Sequence, residues 1–494
     1  MKKYTLIISA LLFSMGVLAQ NSSDALRYSR MQYLGSARFN AMGGAFSALG
    51  GDISSIVTNP AAVGIYRSSE FTFTPNLYLN QLESSYRGSL TNESTNNFNI
   101  GNIGYVGSYK NDPNGWKYVS FAIGHNRISN FYGDYKFRGT ANSDIGSSLI
   151  DGYVNVLNNN QSAVSEVEDY AYPFGPSQAY WTYMIDPVTS NSYKRHIQNT
   201  DKISQYESNY VMGKQSESFF SFGGNYQDRL FLGGNIGFQN IRYERERDYK
   251  ETYIYTPVAT PIDSVGIGYN EISKQYTNGS GANIKIGAIY KVSDEFRIAA
   301  SIHSPTWLSF SEEYQFEANS TFSEGTTYSG EKIISTYEYQ INTPWRYTAG
   351  LAYLFQNRAA LSVDYEYVDY STARIKDNRS FPYDYGMVNE SIKTQLKGTH
   401  NFRVGAEINL APFVVRGGFR YEDNPYSNKQ SFNADESRKT FSVGTGFRSH
   451  NYTVDLTYMH SNMNIIDPVY NYNNENATIE QTDSRVMLTV GWRW

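Results

Sequence analysis

One pattern restricts this chain more than any other: long stretches in which apolar and polar residues alternate one by one. In Arg485–Trp494, Val486, Leu488, Val490, Trp492 and Trp494 share one face, while Arg485, Thr489, Gly491 and Arg493 share the other. In Asn401–Leu410, Phe402, Val404, Ala406, Ile408 and Leu410 oppose Arg403, Glu407 and Asn409. In Leu361–Tyr367, Leu361, Val363, Tyr365 and Tyr367 oppose Ser362, Asp364 and Glu366. A period of two is that of an extended strand with two different surroundings on its two faces. Arg, Glu and Asp cannot face hydrocarbon, and the opposite face carries nothing polar, so the pattern fits lipid outside and a polar lumen inside. A soluble sandwich also alternates, but runs of about a dozen residues suit a tilted membrane crossing.

About fourteen such segments can be marked: Ser69–Leu82, Asn97–Lys110, Trp116–Phe131, Lys214–Gln227, Arg229–Arg247, Asn270–Val292 and Glu295–Glu317, then Ser335–Phe355, Arg358–Arg374, Lys393–Leu410, Pro412–Glu422, Ser437–Ser449, Tyr452–Asn464 and Thr482–Trp494. Their joints alternate in length. Asn111–Gly115, Asp228, Ser293-Asp294, Gln356-Asn357, Ala411 and His450-Asn451 are short. Tyr132–Gly213, Asp248–Tyr269, Ile375–Ile392 and Asp467–Gln481 are long. Short turns on one side and long loops on the other, with an even strand number, are the outer-membrane arrangement. The expected fold is therefore an all-β transmembrane antiparallel barrel spanning residues 69–494. The joint 132–213 is too long for a bare loop and is expected to form short helices over the barrel mouth.

The first residues support export. Lys2 and Lys3 precede an apolar core, Leu6–Phe13, and a small-residue site, Val17-Leu18-Ala19. This reads as a signal peptide over residues 1–19, too short to span a bilayer. Of 42 basic residues its removal takes the two lysines, leaving 40 against 47 acidic and a net charge of −7. No nucleic-acid footprint is present in such a balance. With no cysteine, stability must come from hydrogen bonding and packing. The 44 Tyr, 27 Phe and 6 Trp suit the aromatic girdles of a membrane barrel. A terminal strand ending in Trp494 is expected to be the assembly signal, read by barrel-assembly machinery in the outer membrane of a Gram-negative bacterium.

Residues 20–68 precede the first strand and do not alternate. Within Phe39–Gly64 the chain is rich in small residues. Ser23 or Asp24 is expected to cap a short helix through Leu26, Tyr28 and Met31. Gly43-Gly44 and Gly50-Gly51 permit tight turns. Asp52 is expected to cap a helical turn, Ile53–Val57, that Asn59 stops, because a residue before proline avoids the α region. Such a segment is compact enough to plug a lumen.

The Met-Gly-Gly-Ala run within Ala41–Ala45, the run Asp52–Ile56 and the triplet Asn59-Pro60-Ala61 resemble the N-terminal hatch of the FadL/TodX family of outer-membrane transporters for long-chain fatty acids and other hydrophobic compounds. The family commonly carries two acidic residues where this chain has Gly51-Asp52. The resemblance implies a fourteen-stranded barrel closed by a hatch in which Gly43, Gly44, Asp52, Asn59, Pro60 and Ala61 form the gating motif. It implies passive uptake of a hydrophobic ligand, without a cofactor, and sideways exit into outer-membrane lipid through a kinked third strand, where Gly124 is a candidate kink.

Arg403, Arg416 and Arg420 fall on lumenal faces near Asp364 and Glu366; with Arg127 and Arg346 they are candidate clamps for a ligand carboxylate. The favoured reading of the first three is structural, lining the lumen and holding the plug. His125, His196, His303, His400, His450 and His460 show no metal spacing, and no nucleophile motif appears, so no catalytic residue, metal site or enzyme activity is expected. Asp467, or Asp377 with Asp384, could hold Ca²⁺ loosely, although solvated loops are the simpler reading. An alternative function is a docking component of a protein secretion or surface-attachment machine, with Tyr132–Gly213 meeting the partner. A third, an outer-membrane hydrolase, would need histidine paired across strands.

Overall fold

A computed structural model describes residues 21–142, 148–197, 200–255, 265–356, 358–378, 384–427, 435–470 and 475–494. The expected leader, 1–19, lies outside the described residues, as does Asn357 of one expected turn.

The wall runs in chain order through β1 (Glu70–Tyr86), β2 (Ser89–Lys110), β3 (Trp116–Asn130, continued by Tyr135–Asn142), β4 (Lys202–Tyr226), β5 (Leu230–Tyr255), β6 (Val265–Lys291) and β7 (Phe296–His303 with Trp307–Thr321). It continues through β8 (Ile333–Asn342 with Arg346–Phe355), β9 (Ala359–Asp369 with Arg374–Asp377), β10 (Gly398–Leu410), β11 (Phe413–Glu422), β12 (Arg438–Arg448), β13 (Tyr452–Pro468) and β14 (Asn476–Arg493). Each strand pairs antiparallel with its neighbour in sequence, and β14 returns to β1, with Phe71 opposite Trp492. The result is a closed barrel of fourteen strands. Closure is what a bilayer demands, since no open sheet edge can be hydrated there.

The faces divide as the alternation requires. Leu232, Ile236 and Phe238 of β5, Ile284, Ile286 and Tyr290 of β6, and Val486, Leu488 and Trp492 of β14 point outward and exposed. Arg403, Arg416, Arg485 and Glu366 point inward and are buried. Trp494 lies outside against Tyr105, ring centroids 5.9 Å apart, and exchanges backbone hydrogen bonds of 3.2 Å with Ser69.

Three expectations need correction. The described residues of the joints Asp248–Tyr269 and Asp467–Gln481 are mostly strand, because β5 runs on to Tyr255 and β13 to Pro468, while β6 already begins at Val265 and β14 at Asn476. Above the lipid the outer face is also polar, as Arg242, Glu246, Lys250, Asn278 and Ser280 show. Alternation fades there while the ladder continues, and β4 likewise starts at Lys202 rather than Lys214. The segment Lys393–Leu410 begins as helix, not strand. Finally, Glu295–Glu317 and Ser335–Phe355 are each interrupted, at Ser304–Thr306 and Thr343–Trp345.

The excursion after β3 does form short helices: α1 (Leu149–Asn159), α2 (Val164–Glu168) and α3 (Pro176–Trp181). Leu149, Ile150, Leu157, Val167 and Ala179 turn inward and join Tyr249, Tyr253 and Tyr269 in one apolar cluster over the mouth. A fourth outer helix, α4 (Gly386–Gln395), buries Val388 and Ile392 in one cluster with Tyr28 and Tyr370.

Candidate functional site

The segment before β1 lies inside the barrel as a plug. It begins with a helix, Ser22–Ser29, capped by Asn21 rather than by Ser23 or Asp24: the Asn21 side chain accepts from both their backbone N–H groups, and the Asp24 carboxylate accepts the Asn21 N–H in return. The reciprocal pair satisfies donors that the first turn leaves free. Tyr28 then packs on Phe310, Tyr243 and Phe131, placing the helix against the upper wall. A second short helix, Ala37–Ala41, is capped by Ser36, whose hydroxyl also donates to Asp52 at 2.8 Å. Gly43 and Gly44 follow at φ +62° and +79°, a left-handed turn that glycine adopts without strain.

Asp52 caps a 3₁₀ turn, Ile53–Val57, accepting from Ser54 N at 2.9 Å. Asn59 ends that turn and starts the next, Pro60–Ile65, where its Oδ1 accepts from Ala61 N at 3.0 Å. Its Nδ2 donates to the carbonyl of Ser47 at 2.9 Å and to that of Ala288, in the wall, at 3.3 Å. Asn59, Pro60 and Ala61 are buried.

The wall beneath them is made of glycine. A Cβ at Gly233 would lie 2.3 Å from the Pro60 carbonyl oxygen, and one at Gly287 would lie 1.9 Å from Asn59 Oδ1. Gly405 and Gly418 receive Met42 and Gly43 in the same manner on the far side. These wall glycines are functional residues that strand alternation alone does not reveal. Their signal was present as the pairs Gly223-Gly224, Gly233-Gly234 and Gly417-Gly418 inside strands, where glycine marks close approach of another backbone.

The candidate clamps are mostly committed to this seat. The Arg403 guanidinium sits 4.2 Å above the Tyr33 ring and donates to Glu366 at 2.8 Å. Arg346 donates to Glu366 at 3.3 Å and to the carbonyl of Ser29, and Tyr33 donates to the same carboxylate. Arg416 bonds Glu407 and Asp455, each at 2.6 Å, and Glu407 is shared with Arg38 of the plug at 3.1 Å. Arg420 reaches the plug carbonyl of Gly43 at 3.1 Å. Asp364 takes the backbone N–H of Ser47 at 2.9 Å. Arg127 is different: it donates to Asn130 Oδ1 at 3.2 Å and has no carboxylate within 4 Å among the described residues. Asp467 accepts from the Tyr135 hydroxyl at 2.7 Å and lies 3.7 Å from the Arg245 guanidinium.

Arg127 marks where β3 departs from β2. Their pairing ends at Asn102 opposite Asn126, so Ser89–Gly101 of β2 pairs with β1 alone. The register of β3 on β4 slips between Arg127 and Ser129, and the continuation Tyr135–Asn142 passes over the inner side of β1, with Gly133 beneath Asn80 and Leu82 and Gly139 against Tyr86. Gly124 is not the kink. It is in regular register between Gly104 and Phe219, and the break comes three residues later.

A closed fourteen-stranded barrel, filled by its own N-terminal segment and with its third strand drawn inward, defines a plugged membrane-barrel transport protein. The profile of the family described as "Outer membrane protein transport protein (OMPP1/FadL/TodX)" matches residues 225–490, more than half the chain, and the protein belongs to that family. Among solved structures, a Pseudomonas aeruginosa FadL homologue is similar over 94% of this chain and 99% of its own, with TM-score 0.56 and 10% identity. The P. putida toluene transporter TodX is similar over 93% and 98%, with TM-score 0.53 and 12% identity. At such identities the likeness is one of fold. The comparison with curated proteins returned no match.

Proposed function

We propose that this protein carries hydrophobic small molecules, long-chain fatty acids or apolar compounds of similar character, across the outer membrane by passive diffusion, with exit sideways into lipid between β2 and β3. The observation that carries this reading is the unpaired β2 edge, Ser89–Gly101, beside a lumen whose axis is filled by the plug. A ligand that reaches the lumen has a protein-blocked route ahead and, at the side, a β2 edge that no strand ladder closes and that meets Asp134 and Lys136 through the side chains of Thr91, Glu93 and Thr95. Leaving through water would expose about 0.8 kcal/mol per methylene, so a lateral route into hydrocarbon is the favourable one. The toluene transport named for one structural relative and the FadL kinship named for another support an apolar ligand. Asn59 and its neighbours then act as the hatch motif, and Trp494, at the exposed end of β14, as the signal to the assembly machinery. The docking alternative draws less support, since Leu149, Ile150, Leu157, Val167 and Ala179 of the outer helices are buried over the mouth of their own barrel, with Trp181 and Met387 left exposed.

Uptake of labelled oleate and of toluene by cells lacking the protein tests the proposal. Reduced uptake, restored by the intact gene and not by a variant in which Arg127–Asp134 is replaced with a regular strand, is the expected result. Normal uptake of both compounds, with purified protein that binds neither, would sink it.

A further inference from the structure

Opposed residues on successive strands form rows around the wall, and alternate rows face outward. On β3, β4, β5 and β6 one such row is Ile123, Phe220, Ile236 and Ile284, all exposed. The next row toward the mouth keeps Phe238 as its large apolar residue, beside His125 and Ser218. Arg127 then stands opposite Ser216, and Ser216 opposite Asn240. One row higher, Lys214 stands directly opposite Arg242. The lipid-facing surface of β3, β4 and β5 therefore ends at a cation on each strand.

These cations are not part of an evenly mixed surface. Among the described residues no carboxylate lies within 4 Å of Arg127 or Lys214. Arg242, its side chain 63% exposed, donates through Nε to Glu244 at 2.6 Å. Followed round the wall, the Lys214–Arg242 row continues through Asn278 and Ser311 and meets its next charge at Glu338 of β8. Cations nearer the mouth are paired, Lys250 with Asp248 at 2.9 Å and Lys274 with Glu246 at 3.0 Å. Like charges directly opposite on neighbouring strands destabilise the pair. Lys214 and Arg242 stand in that relation just above the lipid, where a headgroup anion placed between them removes the repulsion. Their long stems lie along the wall and let the charged heads settle at the headgroup boundary.

We propose that Arg127, Lys214 and Arg242 form a binding site on the outside of the barrel for the phosphate of an outer-leaflet glycolipid of the lipid A class. One phosphate accepts from an ammonium and a guanidinium at once, which suits two cations one strand apart. The acyl chains then lie on Phe238 and on the exposed row below it. The register slip of β3 between Arg127 and Ser129 adjoins the site, so the bound lipid stands beside the place where β3 leaves β2. The inference needs the barrel in its membrane and does not rest on the transport reading.

The test uses the full-length barrel, reconstituted with bisphosphorylated lipid A or with the same lipid stripped of both phosphates, then delipidated stepwise and weighed by native mass spectrometry. The parent protein should retain bisphosphorylated lipid A. Lys214→Gln/Arg242→Gln should retain it about tenfold less or weaker still, since each interfacial cation adds its own attraction for anionic lipid. The dephosphorylated lipid should be held equally poorly by both proteins. Lys250→Gln/Lys274→Gln removes the same charge from the same wall and should behave as the parent. Lys214→Gln alone should give an intermediate loss, and it gives a second reading if the double variant fails to fold. Equal retention by the parent and the Lys214 variants overturns the proposal, as does equal loss in the Lys250→Gln/Lys274→Gln control. Displacement of the lipid by equimolar oleate also overturns it, because the cations would then serve a carboxylate ligand.

Discussion

Asn59 rests on Gly287 so closely that a Cβ on the glycine would come within 1.9 Å of the asparagine Oδ1. The same amide group bonds Ala61 N within its own turn, the carbonyl of Ser47 elsewhere in the plug, and the carbonyl of Ala288 in the wall. One side chain therefore joins two parts of the plug to β6, and the glycine beneath is what lets it do so. In this structure the asparagine of the Asn59-Pro60-Ala61 triplet has the geometry of an anchor.

Gly287→Ala should unseat the plug. The nearest obstruction is a held amide, not the loose end of a flexible chain, so either Asn59 or the strand must shift. The expected phenotype is a folded barrel with reduced thermal stability and a plug open to protease added from the periplasmic side. Gly234→Ala is the control, because a Cβ there meets nothing closer than 3.9 Å. Equal protease resistance of the two variants would show that the plug does not depend on this seat.

Asn59→Ala removes a donor to two carbonyls and an acceptor for one N–H in a buried setting. Each group left without a partner costs about 1–3 kcal/mol unless water reaches it. A clear fall in the urea midpoint is expected, with uptake falling in step. Asn59→Asp keeps the acceptor for Ala61 N but loses both donations, and should rank with the alanine variant. A stable Asn59→Ala barrel that has lost uptake would assign the residue to gating instead.

How much of this was legible beforehand follows from what each residue must do alone. Strand number and facing were readable because lipid and lumen impose opposite demands on alternate residues, as at Phe402 and Arg403. The turns at Asp52 and Asn59 were readable because capping and the residue before proline act locally. The limits of β5 and β6 were not, since above the lipid both faces are polar and Arg242 carries no periodic signal. Nor was the β3 kink, placed at Gly124 because glycine permits bending. It falls at Arg127–Ser129 because the inward course of β3 is set by contacts with Asn80, Leu82 and Tyr86, far away in sequence. Pro305 and Pro344 were visible only as two prolines inside long segments; that they fall opposite one another, between the pairs His303–Arg346 and Trp307–Asn342, depends on strand register.

Glu366 holds Arg346, Arg403 and Tyr33 together inside the lumen. Glu366→Ala leaves two buried guanidinium groups without their carboxylate, a change that costs about 3–5 kcal/mol when one partner of a buried pair is removed. The expected result is strong destabilisation or failed assembly, read as loss of the heat-modifiable folded form on a gel. Glu366→Gln keeps an acceptor for the arginines and should be milder. Indifference to both changes would mean that the plug is held by its glycine seat alone.

Asp228 offers a pH test outside the lipid. With Gln227 it forms the turn between β4 and β5, both residues at positive φ, +53° and +57°. Its carboxylate accepts from Lys117 of β3 at 2.8 Å and from Arg67, at the end of the plug, at 3.1 Å. Partial burial pushes its carboxyl up, but hydrogen bonds from Lys117 and Asn225 and the charges of Arg67 and Lys117 outweigh that and hold it at about 2. An ordinary aspartate titrates near 3.9, so the folded form is the stronger acid. Its contribution is therefore complete above about pH 4 and is lost as the pH falls toward 2. The groups are partly solvated, so the amount is roughly 1 kcal/mol or less. Asp228→Asn suits the measurement because asparagine tolerates the left-handed backbone. It should lower the unfolding midpoint slightly at pH 7 and flatten its decline between pH 4 and pH 2, while salt should erase much of the difference. A variant whose midpoint tracks the parent protein across that whole range would show that the turn carboxylate does not tie the plug to the wall.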